Sequence, residues 1–169
     1  MTGGGLERLW AGWRSPYLAE FPAEHDDAAC VFCRILASDD EAAAQVVWRD
    51  ERCAVVLNAY PYTSGHLLVM PVRHVPDLDD LDPADEAPAV WGALACSVRA
   101  LKAAYHPDGL NLGANLGRSA GAGVPGHFHL HVVPRWNGDT NFMTTVAETR
   151  VLPEALPDTL ARVRAAWPT

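Results

Sequence analysis

The run GHFHLHVVPRW, residues 126–136, places His127, His129 and His131 at a spacing of two, each followed by a large apolar residue. No other feature constrains the fold as strongly. Side chains two apart on an extended strand share one face, whereas on a helix the same three would fan round the axis at about 100° per residue. The spacing therefore predicts a strand with three imidazoles on one face and Phe128, Leu130 and Val132 on the other, entering a core. A half-buried strand that turns a histidine to solvent is ordinary, but three in register call for a chemical reason. Two remain open on the residues alone: a metal site, or a nucleophile flanked by proton donors.

The chain of 169 residues is long enough for one domain with a real core. Its formal charge of −8 argues against a nucleic-acid partner, which needs a basic face. No apolar run approaches the length of a membrane span, and the start MTGGGLERLWAGW lacks the pattern of a secretory signal, so a cytoplasmic protein without a membrane partner is expected. Cys30 and Cys33 form C-V-F-C; Cys53 and Cys96 lie in apolar runs and read as packing residues. A C-x-x-C is either half a zinc site or a redox pair, and no thioredoxin-like βαβ pattern surrounds this one, which favours zinc. Zinc needs two further ligands, and histidines are available.

Residues 1–24 read as an extension rich in aromatics, Trp10, Trp13 and Tyr17 among them, that packs on the domain or on a second subunit; residues 25–169 read as a single domain. DDAACVFCRILAS suggests a knuckle leading into a short helix. AAQVVWRD and RCAVVLNAY are β-rich runs joined by a turn, and HLLVMPV is a third strand after the break PYTSG. Val90, Leu94, Val98, Leu101 and Ala104 recur at helical spacing within the longest helical stretch, which PDG ends. LNLGANLG and the histidine run complete five strands, and LPEALPDTLARVRAAW reads as a closing helix. The fold class is α+β, with a mainly antiparallel sheet. The loop RSAGAGVPG precedes the histidines directly. A flexible connection is the default for such a loop, but beside a histidine row it becomes a plausible cradle for phosphate through backbone N–H groups.

H-F-H-L-H-V-V resembles the H-x-H-x-H-x-x signature of the histidine triad (HIT) superfamily of nucleotide hydrolases and transferases, and the resemblance covers nearly the whole chain. CVFCRILA is similar to the C-x-F-C-x-I opening of bacterial members. VLNAYPYTSGHLLVMPVRHVPDL is similar to their second and third strands. LWAGWRSPYL and PRWNGDTNFM resemble the bacterial branch that acts on diadenosine tetraphosphate by phosphorolysis or hydrolysis. The resemblance implies a HIT-like fold and an enzyme that forms a nucleotidyl-histidine intermediate. Its nucleophile would be His129, with His131 as donor to the phosphate or leaving group and His66 in support. It implies Asn58 at the ribose, and Asn115, Arg118, Ser119, Gly123 and Val124 around the phosphates. It also implies a structural Cys₂His₂ zinc on Cys30, Cys33, His74 and His127, and a homodimer or larger assembly paired through the long helix and an edge strand. His25 and His106 match nothing in the family and read as exposed.

One departure bears on the acceptor. Hydrolytic relatives place a glutamine where this chain has Gly123, and its loss leaves room for inorganic phosphate as co-substrate. A phosphorylase yielding ADP and ATP is therefore the leading expectation. A hydrolase of diadenosine polyphosphates, an adenosine phosphoramidate hydrolase and a nucleotide-binding sensor with little turnover are the alternatives.

Overall fold

A computed structural model describes residues 30–139 and 154–168. The aromatic extension and His25 lie outside the described residues. Five strands form one sheet: β1 (Val46–Arg49), β2 (Cys53–Leu57), β3 (Leu67–Pro71), β4 (Gly109–Ala114) and β5 (Leu130–Arg135). Their order is β1-β2-β3-β5-β4, and every neighbouring pair is antiparallel. Three helices accompany them: α1 (Val31–Leu36), α2 (Glu86–Tyr105) and α3 (Leu156–Ala165).

β2 and β3 are buried along their whole length because both faces of the sheet are covered. Alternation then sorts their side chains. Cys53, Val55, Leu57, Leu67 and Val69 join the core under α2 and α3, together with Phe128 and Val132. Val56, Leu68 and Met70 join a second cluster on the opposite face with Cys30 and Phe32. The antiparallel pairing sets Leu68 beside His131 and Leu67 beside Val132, so the histidines share the face of α1 and the apolar residues between them face the long helix.

Two sequence expectations are refined. The ladder of β5 begins only at Leu130; His127 and His129 lie on the extended approach to it, where the Phe128 N–H donates to the Val75 carbonyl. The buried stripe of α2 is Val90, Ala93, Leu94, Ser97, Ala100 and Leu101, whereas Val98 and Ala104 are half-buried. Small residues at 93, 97 and 100 let the helix lie close on the sheet, and that rotates the stripe away from the larger Val98. Cys53 is fully buried, and burial pushes its thiol up to about 12, which fits a packing residue. His106 is exposed and caps α2 in the left-handed conformation.

The edges of the sheet are treated differently. At β1 a bulge follows Val46, whose carbonyl accepts the Arg164 Nε–H of α3 at 3.0 Å. β4 has exposed residues from Asn111 to Gly113, including Leu112. The buried Glu86 at the start of α2 accepts from Arg73 just after β3 at 2.8 Å, and this hydrogen bond holds its carboxyl below the usual range.

Gly65 precedes His66 with φ +82°, and a Cβ there would stand 3.0 Å from Tyr105 and 3.1 Å from Leu101. Left-handed backbone and the crowding of two core side chains act together at this turn. Gly65→Ala is expected to lower unfolding free energy by about 1–3 kcal/mol. Urea unfolding of the two proteins checks it, and a loss below about 0.5 kcal/mol would show that the turn relaxes at no cost.

Candidate active site and metal centre

Four ligand-bearing side chains meet at one end of the histidine run. α1 begins at the knuckle, with Cys30 at its N-cap and Cys33 one turn on. His74 follows β3, and its segment is held to the triad by the Phe128–Val75 hydrogen bond. The candidate ligand atoms of Cys30, Cys33, His74 and His127 all lie within 4.8 Å of one another. Cys33 Sγ is 3.2 Å from His74 Nδ1, and both sulfurs are 3.6 Å from His127 Nδ1. Ligands of a tetrahedral zinc stand roughly 3.3–3.8 Å apart, given bonds of about 2.0–2.3 Å. The orientation of His127 agrees with this. Its Nε2 is 2.9 Å from the Pro71 carbonyl, which can only accept, so the proton sits on Nε2 and the lone pair of Nδ1 faces the sulfurs. The residues present therefore suit a closed Cys₂His₂ site.

The next histidine is oriented by the same residue. His129 Nδ1 lies 2.8 Å from the His127 carbonyl. It must donate there, which leaves Nε2 with the free lone pair. His129 is buried, and desolvation holds its pKa below the usual histidine value. Phe32, buried between the two knuckle cysteines, meets the His129 ring edge-on at 5.0 Å and that of His127 at 5.6 Å.

A second chain of hydrogen bonds ends at His131. The Tyr62 N–H donates to His66 Nδ1 at 3.1 Å, and Asn58 Nδ2 stands 3.3 Å from the same nitrogen. Asn58 cannot be flipped without cost, because its Oδ1 accepts the Tyr60 N–H at 3.0 Å. Both neighbours of His66 Nδ1 are donors, so the proton of neutral His66 is on Nε2. That proton is given to His131 Nδ1 at 2.9 Å, which leaves His131 with its own proton on Nε2. Burial, with a contribution from His129, lowers the pKa of His131 to about 4. The two imidazoles, with ring centroids 5.1 Å apart, are thus complementary at neutral pH: one offers a lone pair and the other an N–H.

The remaining expected residues lie just after β2 and in the loop that follows β4. Asn58 follows β2 and closes the turn to Tyr60, so one of its acceptor and one of its donor positions are used within the chain. Asn115 Nδ2 donates to the Gly121 carbonyl at 3.4 Å. Arg118 and Ser119 are exposed in a short 3₁₀ turn, and Gly123 and Val124 are half-buried. Within the loop the amides of Ala120, Gly121 and Ala122 are committed to the carbonyls of Gly117 and Arg118; those of Ser119, Gly123 and Val124 make none of these turn bonds. Tyr62 and Phe32 were missed in the sequence. Phe32 stands inside C-V-F-C, where the cysteines draw the attention, and nothing in PYTSGH marks the tyrosine.

Comparison with known proteins agrees with the geometry. The HIT domain model matches residues 39–138. A protein named AP-4-A phosphorylase from Mycobacterium tuberculosis is 40% identical over 167 residues, covering 96% of this chain and 85% of its own. The crystal structure of a Zn-bound histidine triad family protein from Mycobacterium smegmatis superposes with a TM-score of 0.65 at 35% identity, covering 83% of this chain and 94% of that one. A HIT family protein from Bacillus subtilis gives a TM-score of 0.59 at 32% identity, over 65% of this chain and 75% of its own. The family match spans more than half of the sequence and includes every histidine of the triad: the chain belongs to the HIT family.

Proposed function

We propose that the chain is a nucleotide-processing enzyme that cleaves diadenosine tetraphosphate to ADP and ATP through a nucleotidyl-histidine intermediate. The observation that carries this reading is the tautomer of His129, whose Nδ1–H is bound by the His127 carbonyl so that Nε2 is the nucleophilic atom. The 40% identity to the mycobacterial AP-4-A phosphorylase supports the substrate class. In the first step Nε2 of His129 attacks the α-phosphorus, the bond to the bridging oxygen breaks, and ATP leaves with its new charge met by the His131 Nε2–H. In the second step an oxygen of inorganic phosphate attacks the same phosphorus, the P–N bond breaks, and ADP leaves. Splitting one displacement into two easier ones is what a covalent nucleophile contributes. Asn58 and Asn115 would hold the ribose and order the phosphate loop. The amides of Ser119, Gly123 and Val124, with Arg118, would receive the phosphates.

His129→Ala is expected to reduce turnover by at least about a thousandfold while nucleotide affinity stays within a few-fold, because the ribose and phosphate contacts remain. Single-turnover kinetics beside calorimetric binding measures both, and a variant keeping a tenth of the rate would end the covalent role.

The acceptor is read from Gly123, which lacks the glutamine side chain that narrows the pocket in hydrolytic relatives. Product analysis with and without phosphate is the test. Turnover should rise with phosphate, with ADP and ATP in equal amounts. AMP and ATP as the sole products at millimolar phosphate would make the enzyme a hydrolase and this reading of Gly123 wrong.

Cys30, Cys33, His74 and His127 would hold a structural zinc, whose chemistry is to cross-link α1 to the triad segment. One zinc per chain is expected by elemental analysis. Chelation should lower the melting temperature by about 10 °C, since a metal held only by the folded form adds its binding energy to folding. Protein purified without chelator and free of zinc would count against the site. A homodimer or larger assembly is proposed as well: Leu112 on edge strand β4 and Trp91 on α2 are large apolar residues left exposed, and pairing of like copies would cover them.

A further inference from the structure

We infer that Tyr62 is a positioning residue for His131: its ring fixes the plane in which His131 presents its donor. The inference rests on the reading above, in which His131 Nε2–H meets the leaving group. His131 is tied to its neighbour by one hydrogen bond, from His66 Nε2 to Nδ1. A single such bond fixes a direction and leaves the imidazole able to twist about it. The Tyr62 ring removes that freedom. It lies nearly parallel to His131, at 12° with centroids 6.1 Å apart, and tilted over His66 at 4.6 Å. The same residue's backbone N–H sets the proton of His66 on Nε2. Tyr62 therefore acts with Asn58 in setting which nitrogen of His66 donates, and its ring bears on how both imidazoles are turned.

Tyr62 is 40% exposed and belongs to neither of the two apolar clusters among the described residues. Its ring meets both imidazoles. These two contacts are made by the ring, so phenylalanine should preserve them. Tyr60, 75% exposed in the same turn, provides a control.

The experiment compares wild type, Tyr62→Ala, Tyr62→Phe and Tyr60→Ala on two substrates, diadenosine tetraphosphate and the dinitrophenyl ester of AMP. With the first, Tyr62→Ala should lose about tenfold in kcat with KM within about twofold, the size expected for one aromatic contact that holds a donor in line. Tyr62→Phe should restore most of the rate, and Tyr60→Ala should match wild type. With the aryl ester the deficit of Tyr62→Ala should shrink, since an acidic phenol leaves without help from His131. A rise in KM alone, an equal deficit on both substrates, or failure of phenylalanine to restore the rate would each overturn the inference. Wild-type turnover with an unaffected Tyr62→Ala would overturn it alone; a wild type inert on both substrates would overturn the catalytic reading and the inference with it. If Tyr62→Ala does not fold, Tyr62→Leu, which keeps apolar volume without a ring, reads the same ratios.

Discussion

The hydrogen bond from His129 Nδ1 to the His127 carbonyl is the contact on which the rest of the site depends. Without it the His129 imidazole could carry its proton on either nitrogen, and Nε2 would not be held as the one with the free lone pair. The carbonyl is itself fixed, because the ring of the same residue is held by Pro71 on one side and faces the two knuckle sulfurs on the other. His127 therefore acts in two directions at once. Its ring belongs to the candidate metal-ligand cluster, and its carbonyl accepts from His129. Phe32, carried by the short helix between the two cysteines, bears on both rings and makes the same connection through packing. Under the proposed function, a zinc on this cluster would touch no reacting atom and would still hold the acceptor that sets the nucleophile's tautomer.

The sheet explains how such a site can stay rigid while its histidines remain uncharged. β3 is the partner of β5 and is buried on both faces, so the row of imidazoles rests on Leu68 and Met70 rather than on solvent. Burial disfavours the charged form of imidazole, and both His129 and His131 are shifted in that direction. The desolvation that would be a cost for a surface histidine here selects the two neutral tautomers that the hydrogen-bond chains require.

Much of this was legible before any coordinates. The spacing of two in H-F-H-L-H determines an extended segment and its two faces, and the apolar runs gave the five strands and the long helix. Resemblance joined Cys30 and Cys33 to His74 and His127, which are far apart in sequence. What could not be read is local and directional. The stripe of α2 turned on the small residues Ala93, Ser97 and Ala100, whose closeness to the sheet outweighs the apolarity of Val98. Tyr62 is not marked in the sequence because half of its contribution is a backbone N–H, which meets His66 only through the turn between them. The loop RSAGAGVPG reads as a cradle of backbone N–H groups, yet those of Ala120, Gly121 and Ala122 close the loop's own turn. Hydrogen-bond commitments of this kind are set by φ and ψ, which composition does not specify.

The charge of the chain gives the last step. A protein of formal charge −8 that handles a polyphosphate works against its own long-range field. The catalytic pair adds no positive charge to offset this, since both imidazoles are neutral. Under the proposed function, attraction would be short-ranged, from N–H dipoles: the His131 Nε2–H at the leaving group, and the amides of Ser119, Gly123 and Val124 at the phosphates, with the Arg118 guanidinium as a local charge. Such dipoles hold their value in a site from which water is excluded, and they need no reorganisation as charge moves to the departing oxygen. A site built this way discriminates by the placement of donors more than by net charge, and it requires each ring to be held in one orientation. Under the proposed function that requirement would be met by the carbonyl of His127 for His129, and by His66 with Tyr62 for His131.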